Sequence, residues 1–132
     1  QAQPADESAA AQEGAGKTVL IIEDEVKLAE SIKNYLEIRG FTAHVAFRGE
    51  DGLESVTAAK PDLICTDIMM PGMDGYSFIK ELRKRDREIP IIVMTAKEEM
   101  QQLIEIEGIN GFLQKPFDLG SLEEKICEIL NK

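Results

Sequence analysis

The apolar residues of this chain fall into five short runs, each about the length of a buried strand. The first, TVLII, is rich in β-branched side chains, and the third, DLICT, follows Pro61 and ends immediately before Asp67. Together the runs cover residues 18–22, 41–47, 62–66, 89–95 and 109–114. The pattern predicts five strands, of which the fourth is the most apolar.

Segments with apolar side chains three and four positions apart lie between these runs and after the last one. They cover residues 25–39, 49–59, the stretch that begins at Asp74, 97–107 and 118–130. The first stops at Gly40, a residue type typical of the position after a helix. Strands that alternate with helices through short connections indicate βαβ units. We therefore predict a single α/β domain whose parallel sheet has helices on both faces.

Length, charge and cysteine usage narrow the classes of function. The chain has 132 residues, which suits one domain with its own core. Its formal net charge of −10 argues against direct binding of nucleic acid, and no apolar run approaches the roughly 20 residues needed for membrane insertion. Cys65 and Cys127 form neither a metal-ligand spacing nor a disulfide framework, which suits a cytoplasmic protein.

Residues 1–17 have a different composition from the rest of the chain. They contain no apolar signal-peptide core and are dominated by Ala, Gly, Gln and acidic residues. We expect them to form a disordered linker or tail, which leaves residues 18–132 as the folded domain. This composition favours a domain that is joined to a segment upstream.

Polar residues follow the predicted strands at the edge of the sheet where functional groups of such folds lie. Glu23 and Asp24 follow the first strand, Asp67 follows the third, Thr95 ends the fourth and Lys115 follows the fifth. Carboxylates so close together repel one another unless a cation binds them. Mg²⁺, or Mn²⁺ in its place, prefers oxygen ligands, and no His or Cys is available to favour zinc. We therefore predict a divalent metal site at Glu23, Asp24 and Asp67.

A metal ion beside these carboxylates suggests phosphoryl transfer. With the charge of the phosphoryl donor neutralised, the carboxylate of Asp67 could attack phosphorus and become an aspartyl phosphate. The hydroxyl of Thr95 and the ammonium of Lys115 could stabilise the phosphoryl oxygens in the transition state. These five residues together form our predicted site.

Four motifs between Lys17 and Lys132 now point to a family. LIIEDE, DLICTDIMMPGMDG, IIVMTA and GFLQKPF occur in this order, and over this whole stretch the chain resembles the response-regulator receiver domain of two-component signalling. The resemblance implies a flavodoxin-like (βα)5 three-layer sandwich with a five-stranded parallel sheet in the order 2-1-3-4-5. It also implies a cis peptide bond between Lys115 and Pro116.

The resemblance assigns a role to each residue of the site. It makes Asp67 the phosphoacceptor, and it makes Glu23, Asp24, Asp67 and the backbone carbonyl of Met69 the metal ligands. The phosphoryl donor would be a sensor histidine kinase or a histidine phosphotransfer protein. The domain would be a signalling module with at most weak self-catalysed phosphorylation and dephosphorylation, not an enzyme.

The resemblance also implies a switch. Thr95 would move toward the new phosphoryl group, and Phe112, which by itself is equally well read as an ordinary core aromatic, would rotate into the vacated space. This would remodel a face formed by the fourth predicted helix, the fifth strand and the fifth helix, which a downstream protein partner would recognise.

Three departures from the family pattern qualify these expectations. Glu23 stands where the family often has Asp, and the stretch between Thr95 and Lys115 is about two residues shorter than in many relatives. Asn110 and Gly111 replace an acidic pair that is usual in transcription-factor receivers, so we expect a monomer or a weak dimer.

No output domain is expected downstream, which leaves a single-domain regulator or the receiver module of a hybrid kinase or multidomain regulator.

Two other functions fit the sequence less well. A phosphatase or phosphotransferase that acts through an aspartyl phosphate commonly has a second carboxylate two residues after the nucleophile, but Met69 occupies that position. A flavin-binding flavodoxin relative needs a polar phosphate-binding loop after the first strand, where this chain has acidic residues. His44 is interpreted as a structural residue of the second strand.

Overall fold

The computed structural model of the chain describes residues 16–68, 75–96 and 108–131. In this part of the chain, five strands alternate with four helices. Their bounds are β1 Thr18–Ile22, α1 Val26–Ile38, β2 Thr42–Ala46, α2 Gly49–Ala59, β3 Leu63–Asp67, α3 Gly75–Arg85, β4 Ile91–Thr95, β5 Gly111–Gln114 and α4 Leu119–Leu130. All strand pairs are parallel and the sheet order is β2-β1-β3-β4-β5. The predicted flavodoxin-like topology is confirmed.

The ends of the elements differ slightly from the sequence pattern. β1 and α2 have the predicted bounds, and Gly40 follows the end of α1 with a φ of 99°, as expected of a glycine in that position. β3 extends one residue further than predicted, so Asp67 is its last residue and pairs with Met94 of β4. The predicted helix over residues 97–107 and the proposed cap at Asp74 lie outside the described residues.

The core lies on both faces of the sheet. Strands β3 and β4 are buried along their whole length, and their side chains alternate between two apolar clusters. On one face, Leu20 and Ile22 pack with Phe78 of α3; on the other, Val19 and Ile21 pack with helices α1 and α4. The result is the three-layer sandwich expected from the βαβ pattern.

Helices α1 and α4 are linked by a polar contact as well as by the core. The buried carboxylate of Glu123 in α4 accepts hydrogen bonds from the Tyr35 hydroxyl at 3.0 Å and from the Arg39 guanidinium at 2.8 Å. Burial, followed by the bond to Glu123, raises the pKa of Tyr35, so this hydroxyl stays protonated and remains a donor. This contact holds together the two helices that cover one face of the sheet.

A reciprocal contact at the amino ends of the strands sets the register of β1 against β3. The Thr18 N–H donates to the Asp62 carboxylate at 2.7 Å, and the Asp62 N–H donates to the Thr18 carbonyl at 2.7 Å. Because the pairing begins at these two residues, Ile22 lies opposite Thr66 at the other end of the two strands. The next residue of each strand, Glu23 and Asp67, therefore reaches the same edge of the sheet.

None of the helices within the described ranges combines the length and the apolar character that a membrane span requires.

Candidate functional site

Three carboxylates come together at the carboxyl ends of β1 and β3. One oxygen from each of Glu23, Asp24 and Asp67 lies within 4.8 Å of the others. Glu23 is 1% exposed and Asp67 is 6% exposed, whereas Asp24 faces solvent. The cluster is therefore open on one side, where a ligand could enter.

Lys115 lies between the two buried carboxylates. Its ammonium nitrogen is 2.8 Å from a Glu23 oxygen and 3.2 Å from an Asp67 oxygen. The backbone holds it there, because the Lys115 N–H donates to the Thr95 carbonyl at 2.7 Å. The peptide bond between Lys115 and Pro116 is cis. The cis bond that the resemblance implied is thus present.

The second oxygen of Glu23 is bound by the backbone. It accepts a hydrogen bond of 3.1 Å from the N–H of Glu25, immediately before α1. Sequence reasoning missed this contact, since a backbone donor leaves no mark on residue type. Both oxygens of Glu23 therefore have partners within the chain.

Burial and neighbouring charges alter the titration of the site. Desolvation, with a contribution from Asp67, raises the pKa of Glu23 to about 7, although the hydrogen bond from Lys115 opposes this shift. Burial lowers the pKa of Lys115, but the bonds and charges of Glu23 and Asp67 outweigh it, so its pKa is raised overall. Lys115 therefore remains an ammonium near neutral pH, while Glu23 lies close to the midpoint of its titration.

The donor set fits a hard divalent cation. Within the described part of the chain, the three acidic residues are the only cluster of potential metal-ligating side chains, and it contains no His or Cys. Mg²⁺ and Mn²⁺ prefer such oxygen donors, and a cation would favour the ionised form of Glu23. Met69, whose carbonyl was expected to be a further ligand, lies outside the described residues.

Thr95 and Phe112, the two residues expected to form a switch, lie on neighbouring strands. Thr95 is fully buried at the end of β4, where its hydroxyl donates to the Ala96 carbonyl at 3.1 Å. Phe112 lies on β5 opposite Val93 and is 44% exposed. In this state, the Thr95 hydroxyl is thus bonded to the backbone, and the aromatic side chain is half exposed.

A second threonine was not singled out by sequence reasoning. Thr66 is fully buried, and its hydroxyl donates to the backbone carbonyl of Asp67 at 3.0 Å. A hydroxyl inside the otherwise apolar run DLICT was the available signal. The bond helps to hold the peptide group through which the chain leaves β3.

A groove of about 710 Å³ opens beside Lys115. Leu28 and Ser31 of α1 line one side, and Pro116 and Phe117, which follow β5, line the other. The site therefore adjoins a concave surface that is part apolar and part polar.

Comparison with known proteins agrees with the observed fold. The family model of the response regulator receiver domain matches residues 19–127. The transcriptional regulatory protein DltR of Streptococcus agalactiae is 36% identical over 110 residues, which are 82% of this chain and 49% of that protein. The chain thus spans about half the length of the curated relatives it matches.

Solved structures are also similar. The receiver domain of the Francisella response regulator 1452 is 34% identical, with a TM-score of 0.78 over 87% of this chain and 96% of that one. The signal receiver domain of a signal transduction histidine kinase from Syntrophus aciditrophicus is 29% identical, with a TM-score of 0.80 over 88% of this chain and 91% of that one. The chain therefore belongs to the family of response regulator receiver domains, the phosphoacceptor signalling modules of two-component systems.

Proposed function

We propose that Asp67 accepts a phosphoryl group from a sensor histidine kinase or a histidine phosphotransfer protein in a Mg²⁺-dependent reaction. The observation that carries this proposal is the ammonium of Lys115, 3.2 Å from the Asp67 carboxylate within a cluster of three acidic residues. A charge arrangement of this kind suits a group that must receive a dianionic phosphoryl group.

The transfer itself needs one carboxylate and one leaving group. A carboxylate oxygen of Asp67 forms a bond to phosphorus as the bond between phosphorus and the donor imidazole nitrogen breaks, and the imidazole leaves as a neutral group after it takes up a proton. Asp67 is suited to this role because β3 holds its backbone in the centre of the sheet. Its side chain, 8% exposed, still borders the open side of the cluster.

The neighbouring residues stabilise the charge. Glu23, Asp24 and Asp67 would hold Mg²⁺ or Mn²⁺, which when bound supplies positive charge to the phosphoryl oxygens. Lys115 supplies a second positive charge, and its raised pKa keeps it protonated. Self-catalysed phosphorylation and dephosphorylation are expected to be weak, because among the described residues the side chain bonded to the Asp67 carboxylate is Lys115, which stays protonated and cannot act as a general base.

Phosphorylation would be read through Thr95 and Phe112. The Thr95 hydroxyl now donates to a neutral carbonyl, and a phosphoryl oxygen is a stronger acceptor because it is charged. Movement of Thr95 would leave space for the half-exposed ring of Phe112, which would change the face formed by β5 and α4. A downstream protein partner binds this face preferentially in one of its two states.

The proposed oligomeric state rests on Asn110, which immediately precedes β5, and on Gly111, its first residue. The side-chain oxygen of Asn110 accepts a hydrogen bond from the Ile91 N–H at 2.9 Å, and Gly111 offers no side chain. The side chain of Lys125 covers Gly111 so closely that an added Cβ would lie 3.2 Å from it. An acidic pair that could bridge two copies is missing here, which supports a monomer or a weak dimer.

The location of the domain, the class of its partner and the kind of protein that contains it are inferred from charge and from the relatives. We place the domain in the cytoplasm, and its net charge of −10 argues against nucleic acid as a direct partner. DltR is a transcriptional regulator and the Syntrophus receiver is part of a histidine kinase, so the proposal covers a single-domain regulator and a module of a larger regulator or hybrid kinase.

Intact-mass measurement tests the phosphoacceptor. After incubation with Mg²⁺ and acetyl phosphate, we expect one phosphoryl adduct per chain. When Mg²⁺ is chelated before the reaction, we expect no adduct to form. Asp67→Asn is expected to show no adduct, whereas Asp51→Asn, which changes an exposed aspartate of α2, keeps it. An adduct that persists in Asp67→Asn would sink the proposal.

A further inference from the structure

The outer edge of β2 is open. β2 is the first strand in the sheet order and pairs only with β1. The Thr42 N–H donates to the Lys17 carbonyl, and the Ala46 carbonyl accepts from the Glu23 N–H, so these residues direct their backbone groups toward β1. Because successive residues of a strand alternate, the N–H and C=O groups of Ala43 and Val45 point the other way. Within the described ranges no strand pairs with them.

A groove of about 420 Å³ runs beside this edge, between β2 and α2. Val45 and Phe47 line the strand side, and Ala58 lies on the helix side. Phe47 is 39% exposed and belongs to the few large apolar side chains that face solvent in the described part of the chain. An apolar side chain of a bound partner could therefore cover it.

The helix side of the groove is acidic. Asp51 and Glu54 line it, both are exposed, and neither makes a hydrogen bond or an ion pair within the described residues. Asp51 lies in the first turn of α2, where a carboxylate stabilises the helix dipole. Glu54 lies one turn further on and has no such role, so the groove has an acidic charge that the fold itself does not use.

We propose that this groove binds a basic extended segment of a partner protein. The segment would add as a strand beside β2, with its backbone bonded to Ala43 and Val45, its apolar side chains against Phe47, and Lys or Arg side chains against Asp51 and Glu54.

Charge argues against two other occupants of the same edge. A second copy of this chain, paired across a two-fold axis, would bring its own Asp51 and Glu54 to the same acidic surface. Residues 1–15 of the chain contain three acidic residues and no Lys or Arg. A basic segment is complementary in charge to this edge, whereas a second copy of the chain and residues 1–15 would both be repelled by Asp51 and Glu54.

This surface is separate from the proposed phosphorylation-dependent face. β2 and β5 are the two opposite edges of the sheet, and the switch residue Phe112 lies on β5. Binding at β2 would thus give the domain a second docking position, one that holds a partner without contact with the signalling face.

Amide NMR of the isotope-labelled full chain tests the proposal, with the peptide acetyl-Lys-Val-Lys-Val-Lys-Val-amide as the probe. We expect saturable shifts at the amides of Ala43 and Val45 and slower hydrogen exchange there. The same peptide with Glu in place of Lys, and a Lys peptide N-methylated at alternate residues, are expected not to bind, since the first loses the charge and the second loses the backbone bonds.

Two double variants separate position from net charge. Asp51→Asn with Glu54→Gln is expected to weaken peptide binding about fivefold, as the loss of two exposed ion pairs would. Glu30→Gln with Glu124→Gln removes the same charge from exposed sites on α1 and α4 and is expected to leave the affinity unchanged. Equal weakening by both pairs, shifts confined to other surfaces, absence of binding, or protection of the Ala43 and Val45 amides in the free protein would each overturn the proposal.

Discussion

The two ends of the sheet use polar residues in opposite ways. At the amino end, Asp62 binds the backbone of Thr18, and Asn110 binds the backbone of Ile91, each as donor and acceptor at 2.7–2.9 Å. Each of these side chains accepts from an uncharged backbone N–H, and Asn110 also accepts a longer bond of 3.5 Å from the Arg83 guanidinium. These contacts join the ends of neighbouring strands. They contribute to stability, because a backbone N–H that lacks a hydrogen-bond partner in the folded chain lowers the free energy of unfolding.

At the carboxyl end, the polar side chains face one another instead. Glu23 and Asp67 are both buried and share the single ammonium of Lys115, while the exposed Asp24 adds a third negative charge. Burial, with a contribution from the neighbouring charge of Asp67, raises the pKa of Glu23 to about 7. The same sheet therefore has one end that is electrostatically satisfied and one end that is prepared to receive a positively charged ligand.

The largest effect is expected from removal of the shared ammonium. Lys115→Ala should slow phosphorylation by acetyl phosphate about 10²–10³-fold, because a preorganised positive charge is lost from the transition state. The rate is measured by intact mass against time at saturating Mg²⁺. Lys125→Ala, which changes a lysine of α4 near Gly111, is the control and should react at the wild-type rate. If Lys115→Ala reacts at the wild-type rate, its ammonium does not assist phosphorylation, and the proposed electrostatic difference between the two ends of the sheet is wrong.

The next effect concerns the pH dependence of stability. An unfolded glutamic acid titrates near 4.5 but Glu23 in the folded chain titrates near 7, so between these values the unfolded chain releases a proton that the folded chain retains. Stability from this group is fully present below pH 4.5 and is lost as pH rises through 7. In metal-free buffer, wild type should lose about 3 kcal/mol relative to Glu23→Gln across this range.

Urea unfolding at several pH values measures this difference. Glu124→Gln, at an exposed position of α4, is the matched control and should follow the wild-type pH dependence. Saturating Mg²⁺ should reduce the loss in wild type, because it favours the ionised form. If Glu23→Gln keeps the full pH dependence of wild type, another group is responsible.

The smallest effect is expected at the amino end. Asp62→Ala should lower the free energy of unfolding by about 2 kcal/mol, since the Thr18 N–H loses its partner, and Asn110→Ala should act similarly on Ile91. Urea unfolding measures the change, and the phosphorylation rate of the folded variants should stay close to that of wild type. A loss of rate comparable with that of Lys115→Ala would show that the two ends are not independent.

Much of the fold could be predicted because its pattern is local. The apolar runs place all five strands within two residues of their observed bounds, and the alternation with helices predicts a parallel sheet. The observed strand ends differ from the predicted ones where pairing with a neighbouring strand decides how far a strand extends. Asp67 was expected after the third strand but is its last residue, because β4 extends far enough to pair Met94 with it.

The site was less completely predictable. Residue types and order point to Glu23, Asp24, Asp67, Thr95 and Lys115, and the structure brings the acidic residues and Lys115 together. Sequence reasoning did not distinguish the buried Glu23 from the exposed Asp24, although they are adjacent. It also missed the bonds from the Glu25 N–H and the Thr66 hydroxyl, which depend on backbone position.

The sequence by itself determined which elements form, in what order, and which chemical groups stand at the strand ends, because these follow from neighbouring residues in the chain. Only the tertiary structure decided that Lys115 contacts Glu23, 92 positions away, and that Glu23 is buried. Coulomb interaction and desolvation depend on distance in space and on access to water. Both are set by the register of β1, β3, β4 and β5, which no local pattern contains.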